Sequence, residues 1–184
     1  MCVIIVKPKG AQMPPHGTLK RCAMANPHGF GFATKDKIFK TMSFETLYKE
    51  LKKISKEEAV VIHFRYATHG SIKRSNCHPF RDEITSVSFA HNGILSITPY
   101  KDMTDSETAF RGILAPIIKE HGLWSDEVAI EVFNIIGGSR FAFIDKYGEV
   151  RLFGHFSTHL DCYYSNLNWM PYTERYTSHH KYAY

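Results

Sequence analysis

The chain opens with an apolar run almost at its first residue: in "MCVIIVKPKG", Val3 to Val6 are continuous before lysine, proline and glycine break the pattern. A short β-branched run bounded by turn residues is a strand signal, and a strand this close to a terminus implies an end that is held rather than frayed. "PKGAQMPPHG" is loop punctuation, and "TLKRCAMAN" reads as a short helix that stops before Pro27, because the residue before a proline disfavours the helical conformation. "GFGFAT" and "KIFKTM" form an expected hairpin about Lys35, Asp36 and Lys37. From Ser43 the period changes. Phe44, Leu47, Tyr48, Leu51 and Ile54 recur at helical spacing, with Lys49, Lys52, Lys53 and Lys56 on or beside the other face, so this segment is expected to be an amphipathic helix with a solvated basic side.

"AVVIHFRYA" and "SVSFAHNGIL" are rich in β-branched and aromatic residues and bounded by turn signals, and both read as central strands. Two helices are expected next, from about Asp105 to Glu120 with a bend at Pro116, and from Asp126 to Ile136. "SRFAFID", "KYGEVRLFG" and "CYYSNL" then return to strand. Strands and helices cluster instead of alternating as βαβ units, which favours a layered α+β domain over a doubly wound parallel sheet. With no internal repeat or linker, residues 1–184 read as one domain, the closing "PYTERYTSHHKYAY" being a tail.

Composition narrows the class. The 184 residues are 43% hydrophobic and 22% charged, enough for a single sizeable core. No apolar stretch approaches the ~20 residues of a membrane span, and the N-terminus lacks a signal-peptide pattern, so a cytoplasmic location is expected. The net charge of +5 is gathered largely in one helix with no basic run, which gives nucleic-acid binding weak support. Cys2, Cys22, Cys77 and Cys162 lie far apart with no C-x-x-C pair and read as individual thiols. His63, His69, Cys77 and His78 match no standard zinc spacing, so neither a metal nor another cofactor is expected.

Two stretches end strands in polar residues: "HFRYATHG" (63–70) and "AHNGIL" (90–95). Strand ends are where a rigid scaffold presents functional groups. Singly, Arg65 could be a surface ion-pair member and Asn92-Gly93 a hairpin turn. In combination with Cys2 directly after the initiator Met, the H-x-R-x-A-T-x-G block, "CHPF", "HNG" and "TDSE" downstream, they resemble the class II glutamine amidotransferases, the cysteine branch of the N-terminal nucleophile hydrolases. "NPHGFGFA" and "SRFAFIDKYGEVRLFG" fit more loosely, and the resemblance runs from Cys2 to about Trp169.

The resemblance implies a four-layer α/β/β/α sandwich and a role for each matching residue. Cys2 would be the nucleophile. A free thiol is largely protonated at neutral pH and needs a base. Removal of Met1, expected before so small a residue, would put an α-amine of suitable pKa on Cys2 itself. Asn92 and the N–H of Gly93 match the oxyanion hole, which must stabilise negative charge on the amide oxygen. Arg65 matches the group that grips the glutamine carboxylate, a task suited to its planar fork. Asp105 matches the anion for the glutamine ammonium, although "TDSE" is also a capping box with Thr104 as N-cap and Glu107 three residues on. Thr68 and His69 match positions lining the same site. The implied reaction is attack on the glutamine side-chain amide, release of ammonia and hydrolysis of a γ-glutamyl thioester. Most family members carry a second domain that uses the ammonia. The expectation here is a separate acceptor or synthase partner. Hydrolysis of another γ-glutamyl amide and a non-catalytic binding module stay open as alternatives.

Overall fold

In the computed structural model, which describes residues 1–67, 70–172 and 174, the strands gather into two sheets in which every neighbouring pair runs antiparallel. The first contains β1 (Val3–Lys7), β2 (Phe30–Ala33), β3 (Ile38–Thr41), β4 (Val60–Phe64), β9 (Ser157–His159) and β10 (Cys162–Tyr164) in the order β3-β2-β4-β1-β10-β9. The second contains β5 (Phe80–Arg81), β6 (Ser88–Asn92), β7 (Arg140–Ile144) and β8 (Val150–Phe153), in sequence order. Helices α1 (His16–Ala25) and α2 (Phe44–Leu51) cover the outside of the first sheet, and α3 (Asp105–Ala109), α4 (Ala115–His121) and α5 (Asp126–Ile136) the outside of the second.

The two-residue side-chain period of a strand creates these layers. On one face of β1 and β4, Val3, Ile5, Val60, Ile62 and Phe64 pack with Leu19, Cys22, Leu47 and Leu51 of the helices. The intervening Ile4, Val6 and Val61 turn the other way and meet Ala90, Ala142 and Ile144 of the second sheet. The opposite face of that sheet sends Phe89, Phe141 and Phe143 against Phe110, Leu114, Val128 and Val132. The result is the α/β/β/α order of layers.

Most expected elements form, with β4, β1 and β6 inside their sheets. Ser43 and Ser125 cap α2 and α5, their side chains accepting from the N–H of Thr46 and Val128, as side-chain oxygens at helix starts should. Three expectations need correction. Helix α2 ends at Leu51, so Ile54 packs on the core from outside it. The irregularity in the 105–121 helix lies before Pro116, as a π-helical segment at Phe110–Leu114. A proline ring crowds the carbonyl four residues back and supplies no N–H, and a widened turn ahead of it relieves both. Strands β5 and β9 were not expected; at two and three residues, they are too short to show a period.

One close approach tightens the packing. A Cβ on Gly31 would stand 2.2 Å from the His78 carbonyl oxygen and 2.7 Å from that of Phe39. Replacing Gly31 with alanine should therefore cost about 1–3 kcal/mol in urea unfolding, whereas Gly17→Ala, with nothing within 4 Å, should leave stability unchanged or slightly raised.

Candidate active site

The register of β1 against β4 begins the site. Val3 lies opposite Phe64 and Ile4 opposite His63, so one step further Cys2 comes opposite Arg65. Cys2 shares the parity of Ile4 and Val6 and so turns toward the second sheet. Its sulfur accepts the N–H of Tyr66 at 3.2 Å, and the thiol faces the Tyr66 carbonyl at 3.4 Å. Tyr66 is itself fixed by the segment preceding β2. The His28 N–H donates to Arg65 O and the Arg65 N–H to Gly29 O, the Ala67 N–H donates to His28 Nδ1 at 2.9 Å, and the His28 and Tyr66 rings lie 4.9 Å apart. Burial pushes the Cys2 thiol pKa up, with the Tyr66 hydrogen bond, the terminal ammonium and Arg65 pulling the other way.

Cys2, Arg65, Gly93 and Asp105 line one cavity of about 270 Å³, together with Tyr66 and Met103. That is slightly below the ~300–1,000 Å³ of pockets for drug-sized ligands, and suits a small substrate. Arg65 is only 4% exposed, and its Nη1 donates to Ser71 O at 3.1 Å. Asp105 accepts the Leu95 N–H at 3.0 Å through one oxygen and the Ser106 N–H at 2.8 Å through the other, which ties the loop after β6 to the start of α3. The capping box forms by half: Thr104 accepts from the Glu107 N–H, but the Glu107 carboxylate accepts from Arg111 Nε instead of reaching back.

Asn92 ends β6, and its next partner strand, β7, begins only at Arg140, so Asn-Gly does not serve here as a hairpin turn. Gly93 has φ +148°, and a Cβ there would stand 2.1 Å from Ser139 Oγ, so close approach and backbone conformation both demand glycine. Asn92 is buried behind the cavity wall and is not among its lining residues. Its Nδ2 donates to Ser165 Oγ at 2.8 Å. The structure therefore brings Cys2, Arg65, Gly93 and Asp105 to one cavity, with Asn92 adjacent to Gly93. Thr68 and His69 lie outside the described residues, as does most of the closing segment read as a tail.

Three buried histidines stand beside this end of the sandwich. His63 and His78 rings are 4.4 Å apart and His78 and His91 6.3 Å. The His63 Nε2 bonds the His91 carbonyl at 3.1 Å, and His91 Nδ1 bonds Ser106 Oγ at 2.7 Å. Burial lowers His63 to about 3, His91 to about 4 and His78 well below its ordinary value, so all three are neutral at pH 7. Cys77 points elsewhere, toward Met42 and Lys73 O, and among the described residues no three His, Cys, Asp or Glu side chains converge as a metal cage.

Sequence reasoning missed the residues that hold the site: His28, Ser106, Ser165 and Asn166, the last of which donates to the Cys2 carbonyl at 2.8 Å. The available signal was polar residues continuing beyond a strand, in "CYYSNL", and a histidine beside glycine in "NPHGFGFA".

Residues 39–165 match the family model described as class-II glutamine amidotransferases, a span that holds all the cavity residues named above except Cys2. Glutamine–fructose-6-phosphate aminotransferase (isomerizing) of Streptococcus pneumoniae strain R6 is 34% identical over 96 residues, 46% of this chain and 16% of that protein. The Chlamydia muridarum protein of the same name is 34% identical over 70 residues, 36% of this chain and 12% of that one. The chain thus spans less than a fifth of the length of these relatives. Among solved structures, glutamine phosphoribosylpyrophosphate amidotransferase from B. subtilis, complexed with ADP and GMP, superposes with a TM-score of 0.56 at 19% identity, covering 89% of this chain and 41% of that one. A structure described as the allosteric regulatory enzyme of purine biosynthesis gives 0.57 at 18% identity over the same shares. These likenesses identify the α+β sandwich as the N-terminal nucleophile type.

The buried histidines make stability depend on pH. Their pKa values lie below the 6.5 of a free histidine, so between about pH 4 and 6.5 the unfolded chain binds protons that the folded one does not. Their contribution is complete above 6.5 and lost as pH falls, at about 1.4 kcal/mol per pH unit for each neutral histidine. Urea unfolding between pH 7 and 5 should show this slope, and His63→Asn should make it shallower; an unchanged slope would contradict a neutral His63.

Proposed function

The chain belongs to the class II glutamine amidotransferases, and on that premise we propose that it hydrolyses the side-chain amide of glutamine through a γ-glutamyl thioester on Cys2, releasing ammonia for an acceptor reaction on a separate partner protein. The observation that carries this reading is the meeting of Cys2, Arg65, Gly93 and Asp105 at one small cavity. Residues 1–184 act in it as a single amidotransferase domain. The relatives' names pair glutamine with fructose-6-phosphate or phosphoribosylpyrophosphate, but the shares of those proteins that the chain spans are small.

In this reading, Met1 is removed before the enzyme works. Both hydrogen-bond partners of the sulfur belong to the Tyr66 backbone, and among the described residues no side-chain base bonds it. A buried thiol with a raised pKa needs a base, and the α-amine freed on Cys2 is the one its own residue supplies. The amine takes the thiol proton, and the thiolate adds to the amide carbon. Asn92 and the Gly93 N–H receive the charge that develops on the oxygen. As the C–N bond breaks, the amine passes its proton to the leaving ammonia and the thioester remains. Water then adds, and the C–S bond breaks to give glutamate and the free thiol. Arg65 holds the substrate carboxylate and Asp105 its ammonium, with Thr68 and His69 completing the glutamine site. Bidentate recognition of a carboxylate needs the guanidinium fork, which lysine lacks.

Purified protein should release glutamate and ammonia from glutamine, and its intact mass should correspond to loss of Met1. Diazo-oxo-norleucine should label Cys2. Activity surviving Cys2→Ala, or a fully active protein that retains Met1, would defeat the mechanism. A γ-glutamyl amide other than glutamine turning over much faster would reassign the substrate. Asn92→Ala should lower kcat by about 10²–10³-fold, while Arg65→Lys should act mainly by raising KM; the opposite split would reverse the two roles.

A further inference from the structure

Ser165 follows β10 immediately, is 2% exposed, and joins the two sheets. Its N–H donates to Ile4 O at 3.0 Å. Its Oγ accepts the Ile4 N–H at 2.8 Å and Asn92 Nδ2 at 2.8 Å. One hydroxyl thus connects β1, two residues from the Cys2 thiol, with the amide at the end of β6.

Counting donors and acceptors gives this contact a direction. A serine hydroxyl has one hydrogen and accepts through two lone pairs. Both lone pairs are taken by Ile4 and Asn92, which leaves the hydrogen to be placed. The Asn92 Oδ1 is buried and has no partner among the described residues. An unmatched buried acceptor is costly, and here it belongs to the same amide that sits against an unassigned hydroxyl hydrogen. A half-turn of the amide about χ2 pairs that hydrogen with Oδ1. Ser165 then donates to Oδ1, and Nδ2 takes the buried place of Oδ1, where it has no hydrogen-bond partner among the described residues. Nδ2 is there an unmatched buried donor beside Gly93, and a donor held ready for charge that develops only in the transition state is what an oxyanion hole requires.

We propose that Ser165 is a positioning residue, whose hydroxyl turns and holds the Asn92 amide so that Nδ2 faces the oxygen of the scissile amide. This rests on the proposed glutaminase reaction for its role in turnover, but the contact itself can be read without substrate. Ser165 acts through Asn92 and touches no reacting atom.

The test combines NMR with a double-mutant cycle. The Asn92 side-chain amide pair, assigned by its loss in Asn92→Asp, should be shifted from free-amide positions in the wild type and should move toward them in Ser165→Ala. If the pair does not move, the proposal fails, whatever the enzyme does with glutamine. In turnover, Ser165→Ala should lower kcat by about tenfold with KM within about twofold, short of the ~10²–10³-fold loss of the donor itself. In the Asn92→Ala background the same change should add less than about a twofold loss, since effects acting through one group are not additive. An equal loss in both backgrounds would mean that Ser165 only supports β1, and would overturn the proposal. If Ser165→Ala does not fold, Ser165→Cys keeps the shape, with a larger atom and a weaker hydrogen bond, and should show the same pattern at smaller amplitude; an unmoved amide pair in that variant also overturns it. A wild type inert toward glutamine would count against the proposed function alone, with the NMR arm still decisive here.

Discussion

The antiparallel register of β1 on β4 is the constraint on which the site depends. Strand side chains alternate, so a slip of one residue would turn Cys2 away from the second sheet and into the layer occupied by α1 and α2. The register is gripped at both ends. At the far end Lys7 is fully buried, and its ammonium donates to the carbonyls of Lys56 at 2.8 Å, Glu58 at 2.6 Å and Pro8 at 3.3 Å. All three donors of a lysine are thereby used, and β1 is tied to the chain leading into β4. At the near end Asn166 holds the Cys2 carbonyl and Ser165 holds Ile4. Between these anchors the ladder has little freedom to shift.

The choice of side chain in each layer follows from what the site needs. Between the sheets the core is built from Ala33, Ala59, Ala90 and Ala142 with Ile4, Val6, Val61 and Ile144. The fully buried phenylalanines lie outside it. Phe89 packs on Phe110 at 5.1 Å and on Phe141 and Phe143 at 5.0 Å, beneath the second helical layer. Small residues in the middle suit close approach of the sheets, and at the end of that layer one serine hydroxyl reaches both. The outer layers supply the apolar burial, about 1.5–3 kcal/mol for each large side chain. That burial offsets the cost of placing Arg65, Asn92, Lys7 and three histidines out of water.

The two kinds of information in the sequence were legible to different degrees. Strands rich in β-branched and aromatic residues and bounded by turn signals, β1, β4, β6 and β7, could be read directly, as could the capped helices α2 and α5. The α+β class follows from their clustering. Cys2, Arg65, Gly93 and Asp105 were legible because the short blocks that hold them, taken together and in order, resemble the class II glutamine amidotransferases. The holding residues were not. Ser165 acts on Ile4 and Asn92, and Asn166 on Cys2, across separations of 161, 73 and 164 positions, and no local pattern encodes a partner that far away. The π-helical segment before Pro116 was hidden for a different reason. Proline marks where a helix must yield but not which neighbouring turn takes up the strain.

Charge balance at the cavity connects the histidines to the proposed chemistry. Among the described residues the wall contains one buried cation, Arg65, and one anion, Asp105, an arrangement suited to the carboxylate and ammonium of a free amino acid. His78 and His91 also line the cavity, and protonation of either would add positive charge to that wall. Arg65 is among the groups that hold His63 and His78 neutral, after burial itself, so the cation proposed to grip the substrate also suppresses competing cations beside it. Neutral imidazoles leave Arg65 and Asp105 as an opposed pair, whereas a charged one would weaken the selection for an ammonium at Asp105 through like-charge repulsion. The stability given up at acid pH to keep these rings uncharged is thus tied to the same electrostatic pattern on which the proposed substrate selection rests.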